Sequence, residues 1–261
     1  MNLKKLPGTR AITVLVLLYL YLPVLVLVGY SFNANRSASV WTEFSLAWYG
    51  RVIANASIQS AAFNSLIVAV CATVLATLIA LAAALATARP FYARRLLESA
   101  ISLPLILPEI VIAVATLLLF MALEVKLGLL TVIVAHVGFC IPFAYLPIRA
   151  RLNDLDQNLL EAASDLYASP WQVFCRITLP LLWPALLSGA VLAFVVSLDD
   201  FIMTFFVAGP GATTLPVYIF SSIRAGVTPE INAISTLMLA ISIVLVVLSY
   251  WLGQQGKAPA K

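Results

Sequence analysis

AAFNSLIVAVCATVLATLIALAAALATA, residues 61–88, runs for 28 positions without a charged side chain. The hydrocarbon core of a bilayer is about 30 Å thick, which a helix rising about 1.5 Å per residue crosses in about 20 residues. The run is apolar on every side, so the helix it predicts lies in lipid or inside a bundle. Outward from Ala61–Ala88, five more runs of this kind follow, at about Ala11–Tyr30, Ala100–Leu123, Leu129–Ile148, Leu182–Val207 and Ile231–Leu252. The reading is an all-α polytopic membrane protein with six transmembrane helices. No linker, low-complexity tract or internal repeat divides residues 1–261, so one membrane domain is expected.

The composition agrees. Of 261 residues, 63% are hydrophobic and 10% charged, against about 45–50% and about 25% in soluble domains. This argues against soluble enzymes, disordered chains and disulfide scaffolds. The net charge is +4, but the cations fall between apolar runs instead of forming a patch, which argues against nucleic acid. Cys71, Cys140 and Cys175 show no framework or zinc spacing and read as buried free thiols. His136 stands alone, so no histidine metal cluster can form, and an interhelical hydrogen bond is its expected role. No nucleophile–base set is visible, and no catalytic or metal residue is assigned. The first run exceeds the about 7–15 residues of a cleavable signal core, and Ser37-Ala38-Ser39 is a weak cleavage match. A retained anchor is expected.

Lysine and arginine order the loops. Lys4, Lys5, Arg10, Arg89, Arg94, Arg95, Arg149, Arg151, Arg176, Lys257 and Lys261 fall on one side, eleven in all; Arg36, Arg51, Lys126 and Arg224 fall on the other, four in all. The positive-inside rule then places both termini and the loop at about 149–180 in the cytoplasm.

That loop reads RARLNDLDQNLLEAASDLYASPWQVFCRITLP. Leu152, Leu155, Leu159 and Ala162 or Ala163 recur at helical spacing, with Asp154 and Asp156 near the start, where carboxylates suit the helix dipole. Ser169-Pro170 supplies an N-cap and a proline at the first helical position. Trp171, Phe174 and Ile177 share a face of the helix that follows. Helix, break, helix is expected, with apolar faces that need a partner.

Glu161-Ala162-Ala163, followed at fixed spacing by Ile177 and Leu179-Pro180, resembles the EAA signature of inner-membrane permeases of binding-protein-dependent ABC importers. The resemblance implies a type I importer fold. It also implies that Glu161, Ala162, Ala163, Ile177, Leu179 and Pro180 belong to a coupling segment seated on an ATPase subunit. The signature's glycine falls on Tyr167. Either the turn shifts toward Ala168-Ser169, or Tyr167 contributes a compensating contact with the ATPase. No phosphate-cradling loop occurs, since Gly256-Lys257 lacks the preceding glycine and the hydroxyl. The chain is therefore expected to be no enzyme and to hold no cofactor, with ATP and Mg bound by the partner ATPase.

Three carboxylates fall well inside the runs: Glu109, Asp199 and Asp200. A charge at the centre of a membrane helix costs about 2.5–3.5 kcal/mol, so such groups face a cavity or a partner. In SLPLILPEIV, residues 102–111, Pro104 and Pro108 interrupt the backbone ladder and Glu109 opens a fresh segment. On a continuous helix it would lie about 14 Å from the cytoplasmic end. Asp199 and Asp200 point about 100° apart. One is expected to line a pathway, while the other caps, pairs or takes up a proton. With few cations in the runs, a cationic substrate is the natural countercharge. Trp41, Trp48 and Tyr49 could add cation–π attraction, although an interfacial aromatic belt serves equally well for them.

The stretch SLDDFIMTFFVAGPGATTLPVYIFSSIRAGVTPEINAIST, with LPVLVLVGYSFN, FSLAWY and FNSLIVA earlier, is similar to the polyamine branch of these permeases, in particular the second permease of putrescine and spermidine importers. That resemblance implies an inner-membrane complex with a second permease, an ATPase dimer and a periplasmic polyamine-binding protein. An ABC permease for another solute remains open, as does a secondary transporter or channel using the acids, although such a transporter needs no ATPase dock.

Overall fold

A computed structural model describes residues 9–35, 40–226 and 228–255. Lys4, Lys5, Arg36, Ser37-Ala38-Ser39, Gly256-Lys257 and Lys261 lie outside them. Twelve α-helices are described: α1 (Thr9–Tyr30), α2 (Ala47–Ala54), α3 (Ala56–Ala88), α4 (Arg94–Ile106), α5 (Glu109–Ala122), α6 (Leu129–Asn153), α7 (Gln157–Asp165), α8 (Pro170–Val173), α9 (Leu179–Asp199), α10 (Ile202–Val207), α11 (Leu215–Ala225) and α12 (Pro229–Gln255). A π-helical turn, Phe174–Thr178, joins α8 to α9, so residues 170–199 form one helical run.

Five helical runs are long and apolar enough to cross a membrane, and α4 with α5 make a sixth if counted as one broken span. That pair corrects the single span expected over Ala100–Leu123. The two helices meet at 112°. Pro108 is extended at φ −57°, ψ 131° and brings no N–H, so the helix cannot run through it. Pro104 is accommodated inside α4. The estimate of Glu109 about 14 Å along a straight helix falls with the bend, while its position at the first residue of a fresh helix stands. The expected fifth span, Leu182–Val207, is likewise interrupted at Asp200-Phe201.

The chain divides into two compact units. The first takes in the described residues up to Gln59 together with Tyr218–Ala240. Its ordered turn hangs on Asn33, whose Oδ1 accepts the Thr42 N–H at 3.1 Å, whose Nδ2 donates to the Val40 carbonyl at 2.7 Å, and whose own carbonyl accepts the Trp48 indole N–H at 2.8 Å. Helix α1 is exposed along nearly its whole length.

The second unit, Ser60–Val217 with the described residues from Ile241 on, carries the acids and the 149–180 loop. Two apolar clusters build it. One gathers Ala76, Ala80 and Ala84 of α3 with Cys140, Ala144 and Ile148 of α6 and Leu182 and Leu186 of α9. The other joins Ala113 and Phe120 of α5 to Val132 and Ala135 of α6 and to Met203 and Val207 of α10. Small residues allow the close approach: a Cβ on Gly189 would stand 2.9 Å from the Ala144 carbonyl oxygen. Gly209 lies against the Leu127-Gly128 backbone so tightly that no side chain fits there. All three cysteines are free, but only Cys140 is buried, since Cys71 and Cys175 are partly exposed.

Candidate functional site

In the 149–180 loop, α7 carries Glu161 and Ala162 exposed and Ala163 buried. The helix ends as the Ala168 N–H reaches back to the Ala163 carbonyl at 3.1 Å and Leu166 N–H to Ala162 at 3.3 Å. Such a closure needs a left-handed residue, normally glycine, and here it is Tyr167 at φ 58°. The turn has not shifted, and the strain, about 1–2 kcal/mol, is accepted where the expected glycine would avoid it. The Tyr167 side chain is 97% exposed, beside Leu166 at 81% and Trp171 at 71%. Ser169 caps α8 as expected: its Oγ accepts the Gln172 N–H at 3.3 Å while Gln172 Oε1 accepts the Ser169 N–H at 2.8 Å, a capping box. The segment after the break is not a separate helix, however. Through the π turn it becomes the start of α9, which places Leu179 and Pro180 at that helix's first turn and Ile177 in the π turn itself. The result is a short helical platform with an apolar rim, continuous with a membrane helix.

The second set of residues lies where α9 breaks. Asp200 is buried and turns its carboxylate forward to cap α10, accepting the N–H groups of Met203 at 3.2 Å and Thr204 at 3.0 Å and the Thr204 hydroxyl at 3.0 Å. His136 Nε2 of α6 stands 3.0 Å from Asp200 Oδ2 and 2.9 Å from Thr204 Oγ1. The threonine has one proton and gives it to the carboxylate, so Nε2–H is the donor toward both oxygens. His136 Nδ1 pairs with Ser197 Oγ of α9 at 2.8 Å. The Glu109 carboxyl, on the first residue of α5, lies near enough to Asp200 for the two acids to interact. Asp200 is thus the acid of the pair that caps and pairs, one of the roles the sequence left open, with His136 as its partner. The expected interhelical role of His136 is what the structure shows.

Asp199 points elsewhere. It is exposed, and both its oxygens accept the Ser242 hydroxyl of α12, at 3.0 and 2.9 Å. Among the described residues no Lys, Arg or His forms an ion pair with it. The adjacent acids thus divide into a buried cap and an exposed acceptor.

The aromatics belong to the first unit. Trp48 is buried, with the Arg51 guanidinium 4.5 Å from its ring centroid, so one ring face already holds a cation. Tyr49 shares a 2.7 Å hydrogen bond with Ser31. Trp41 is half exposed and meets Tyr30 edge-on at 6.1 Å.

Residues 76–255 match the family described as the binding-protein-dependent transport system inner membrane component. The chain belongs to this family. It is 41% identical over 237 residues to the putrescine transport system permease protein PotI of Escherichia coli strain K12, covering 87% of this chain and 84% of that one. It is 41% identical over 220 residues to the spermidine/putrescine transport system permease protein PotC of Haemophilus influenzae, covering 84% and 86%. The membrane subunit of a bacterial ABC transporter involved in alginate import superposes with a TM-score of 0.69 at 15% identity, over 93% of this chain and 92% of that one. The MetNI methionine ABC transporter gives 0.65 at 16%, over 82% and 100%. The architecture is the type I importer permease fold expected from the loop signature, and the protein is an inner-membrane transport component.

For this permease, sequence reading found the acids but missed their cage. Ser197 and Thr204 were legible only as hydroxyls three residues before and four after Asp200. Their convergence on His136 spans more than 60 residues, and spacing carries no signal for that.

Proposed function

We propose that this chain is one of two permeases in an ATP-driven importer that carries a polyamine, putrescine or spermidine, into the cytoplasm. Its companions are a different permease chain, an ATPase dimer that binds ATP and Mg, and a periplasmic polyamine-binding protein. Both termini and the 149–180 loop lie in the cytoplasm. Glu161, Ala162, Ala163, Tyr167, Ile177, Leu179 and Pro180 form the surface that meets the ATPase. Asp199 faces the pathway, Asp200 and Glu109 shape its wall, and Trp41, Trp48 and Tyr49 form its outer approach. Together the chain makes one membrane domain.

The observation that carries the reading is Asp199. A carboxylate at the end of a membrane helix, exposed and supported by a single hydroxyl, is costly against lipid and suited to an ammonium group. The polyamine names of the relatives point to the same chemistry. The test is uptake of labelled putrescine and spermidine by the reconstituted complex. Asp199→Asn at normal abundance should lower uptake about tenfold, the equivalent of losing one charged hydrogen bond. Unchanged uptake of both amines across concentrations would refute the assignment.

A further inference from the structure

We propose that the cleft between α3, α4 and α6 binds an anionic phospholipid, with an acyl chain in an apolar groove and the phosphate among the arginines beyond it. The groove has a volume of about 260 Å³. Ile79 and Ala83 of α3, Leu97, Ile101 and Pro104 of α4, and Gly138 of α6 line it. A Cβ built on Gly138 meets nothing within 4 Å, so the glycine leaves open space there. No side chain in the lining carries a polar group. A protein loop entering such a groove would leave backbone N–H and C=O groups unpaired. An acyl chain has none to lose.

All three helices lead from the groove to one cationic cluster. Arg94 is one turn from Leu97, and Thr87 one turn from Ala83. Arg149 ends the same face of α6, where its Nη2 donates to the Thr87 carbonyl at 3.0 Å. Arg94 Nε lies 3.0 Å from Glu98 Oε1, and Arg149 Nη2 lies 3.8 Å from the same oxygen. One carboxylate therefore serves two guanidiniums, and Arg89 and Arg95 nearby are exposed. Helix α4 has no acid in its first turn. Three residues along a helix advance about 4.5 Å, so a phosphate at Arg94 is contiguous with a chain entering beside Leu97. Exposed Phe91 and Tyr92 in the same turn suit the headgroup level of a bilayer. A basic pocket between membrane helices is a recognised form of anionic headgroup site. The placement depends on no assumption about the transported solute.

The experiment uses the assembled transporter in nanodiscs containing photoactivatable phosphatidylglycerol or phosphatidylcholine, with labelled peptides mapped by mass spectrometry. Phosphatidylglycerol should label the 79–104 and 138–141 segments about tenfold more than phosphatidylcholine. Arg94→Gln and Arg95→Gln should each reduce that preference roughly fivefold, the effect of one surface cation on an anionic lipid. Gly138→Leu should abolish acyl labelling in the groove. If that variant fails to assemble, Ala83→Leu fills the same space from α3. Equal labelling by the two lipids, labelling unchanged by the filling variant, or a partner subunit cross-linked at the groove in place of lipid would each overturn the proposal. So would displacement of the lipid by soluble glycerol phosphate, which would assign the arginines to a free phosphate instead.

Discussion

The 149–180 loop and the polar cluster around Asp200 solve the problem of a helix end in opposite ways. In the loop, the bonds that close the break between α7 and α8 are local: Ser169 to Gln172, Ala168 to Ala163, Leu166 to Ala162. Around that break apolar side chains stay outside, with Leu166, Tyr167 and Trp171 exposed, while Leu152, Leu155 and Leu179 anchor the segment's two ends on the core. At the α9–α10 break the helix end is again capped, but the cap is then tied to α6 through His136 and approached by Glu109 of α5. Water or a partner can complete the first region. The second has to complete itself, because buried polar groups left unpaired cost about 1–3 kcal/mol each.

The largest effect should come from breaking the self-contained region. His136→Ala removes the donor facing a buried carboxylate, and losing one partner of a buried pair costs about 3–5 kcal/mol. The variant should show lower membrane abundance and a lower melting temperature in detergent. His136→Ala combined with Asp200→Ala should recover part of the loss. A double variant worse than the sum of the singles would mean that the pair does not act as a unit.

Next comes the contrast within the acid pair. Asp200→Asn should reduce abundance, since an amide cannot accept from Met203, Thr204 and His136 as a carboxylate does. Asp199→Asn should leave abundance intact and lower uptake about tenfold. Immunoblots beside transport assays separate the two, and the comparison fails if both variants change the same quantity.

In the loop the effects should be smaller and confined to it. Ser169→Ala should cost about 1 kcal/mol, read as faster amide exchange at Gln172 and Val173 without change near Asp200. Smallest is Tyr167→Gly, which relieves the left-handed residue but frees the unfolded chain, for a net change under about 1 kcal/mol. If Tyr167→Gly leaves the subunit's stability within that bound yet weakens ATPase binding, the tyrosine is retained for its exposed ring.

This contrast also sets how much sequence could reveal. The Ser169 cap, Pro170 at N1 and the signature residues follow one another in the chain, and local rules read them directly. The apolar runs announced the helices because length and lack of charge suffice. The 112° elbow was half legible: Pro104 and Pro108 marked an interruption, but both prolines bar a straight ladder and only Pro108 ends the helix, since Pro104 is absorbed in α4. The division of labour between Asp199 and Asp200 followed from the 100° step, but which acid was buried did not. That depended on His136 and Ser242, which lie far along the chain.

The π turn at Phe174–Thr178 has a geometric consequence for what this permease can transmit. A turn closed by i→i+5 bonds holds one residue more than its neighbours, and one residue is about 100° of azimuth. The face that α8 offers to a neighbour and the face that α9 offers to α6 are therefore set out of phase and can be chosen independently. Rewinding Phe174–Thr178 as α-helix with no residue removed would swing Trp171 by about 100° around the axis, whereas deleting one residue there would restore a uniform helix with Trp171 near its present azimuth. The turn works as a spline between two shafts: the two segments remain one continuous helical run, while the azimuth of each is set separately.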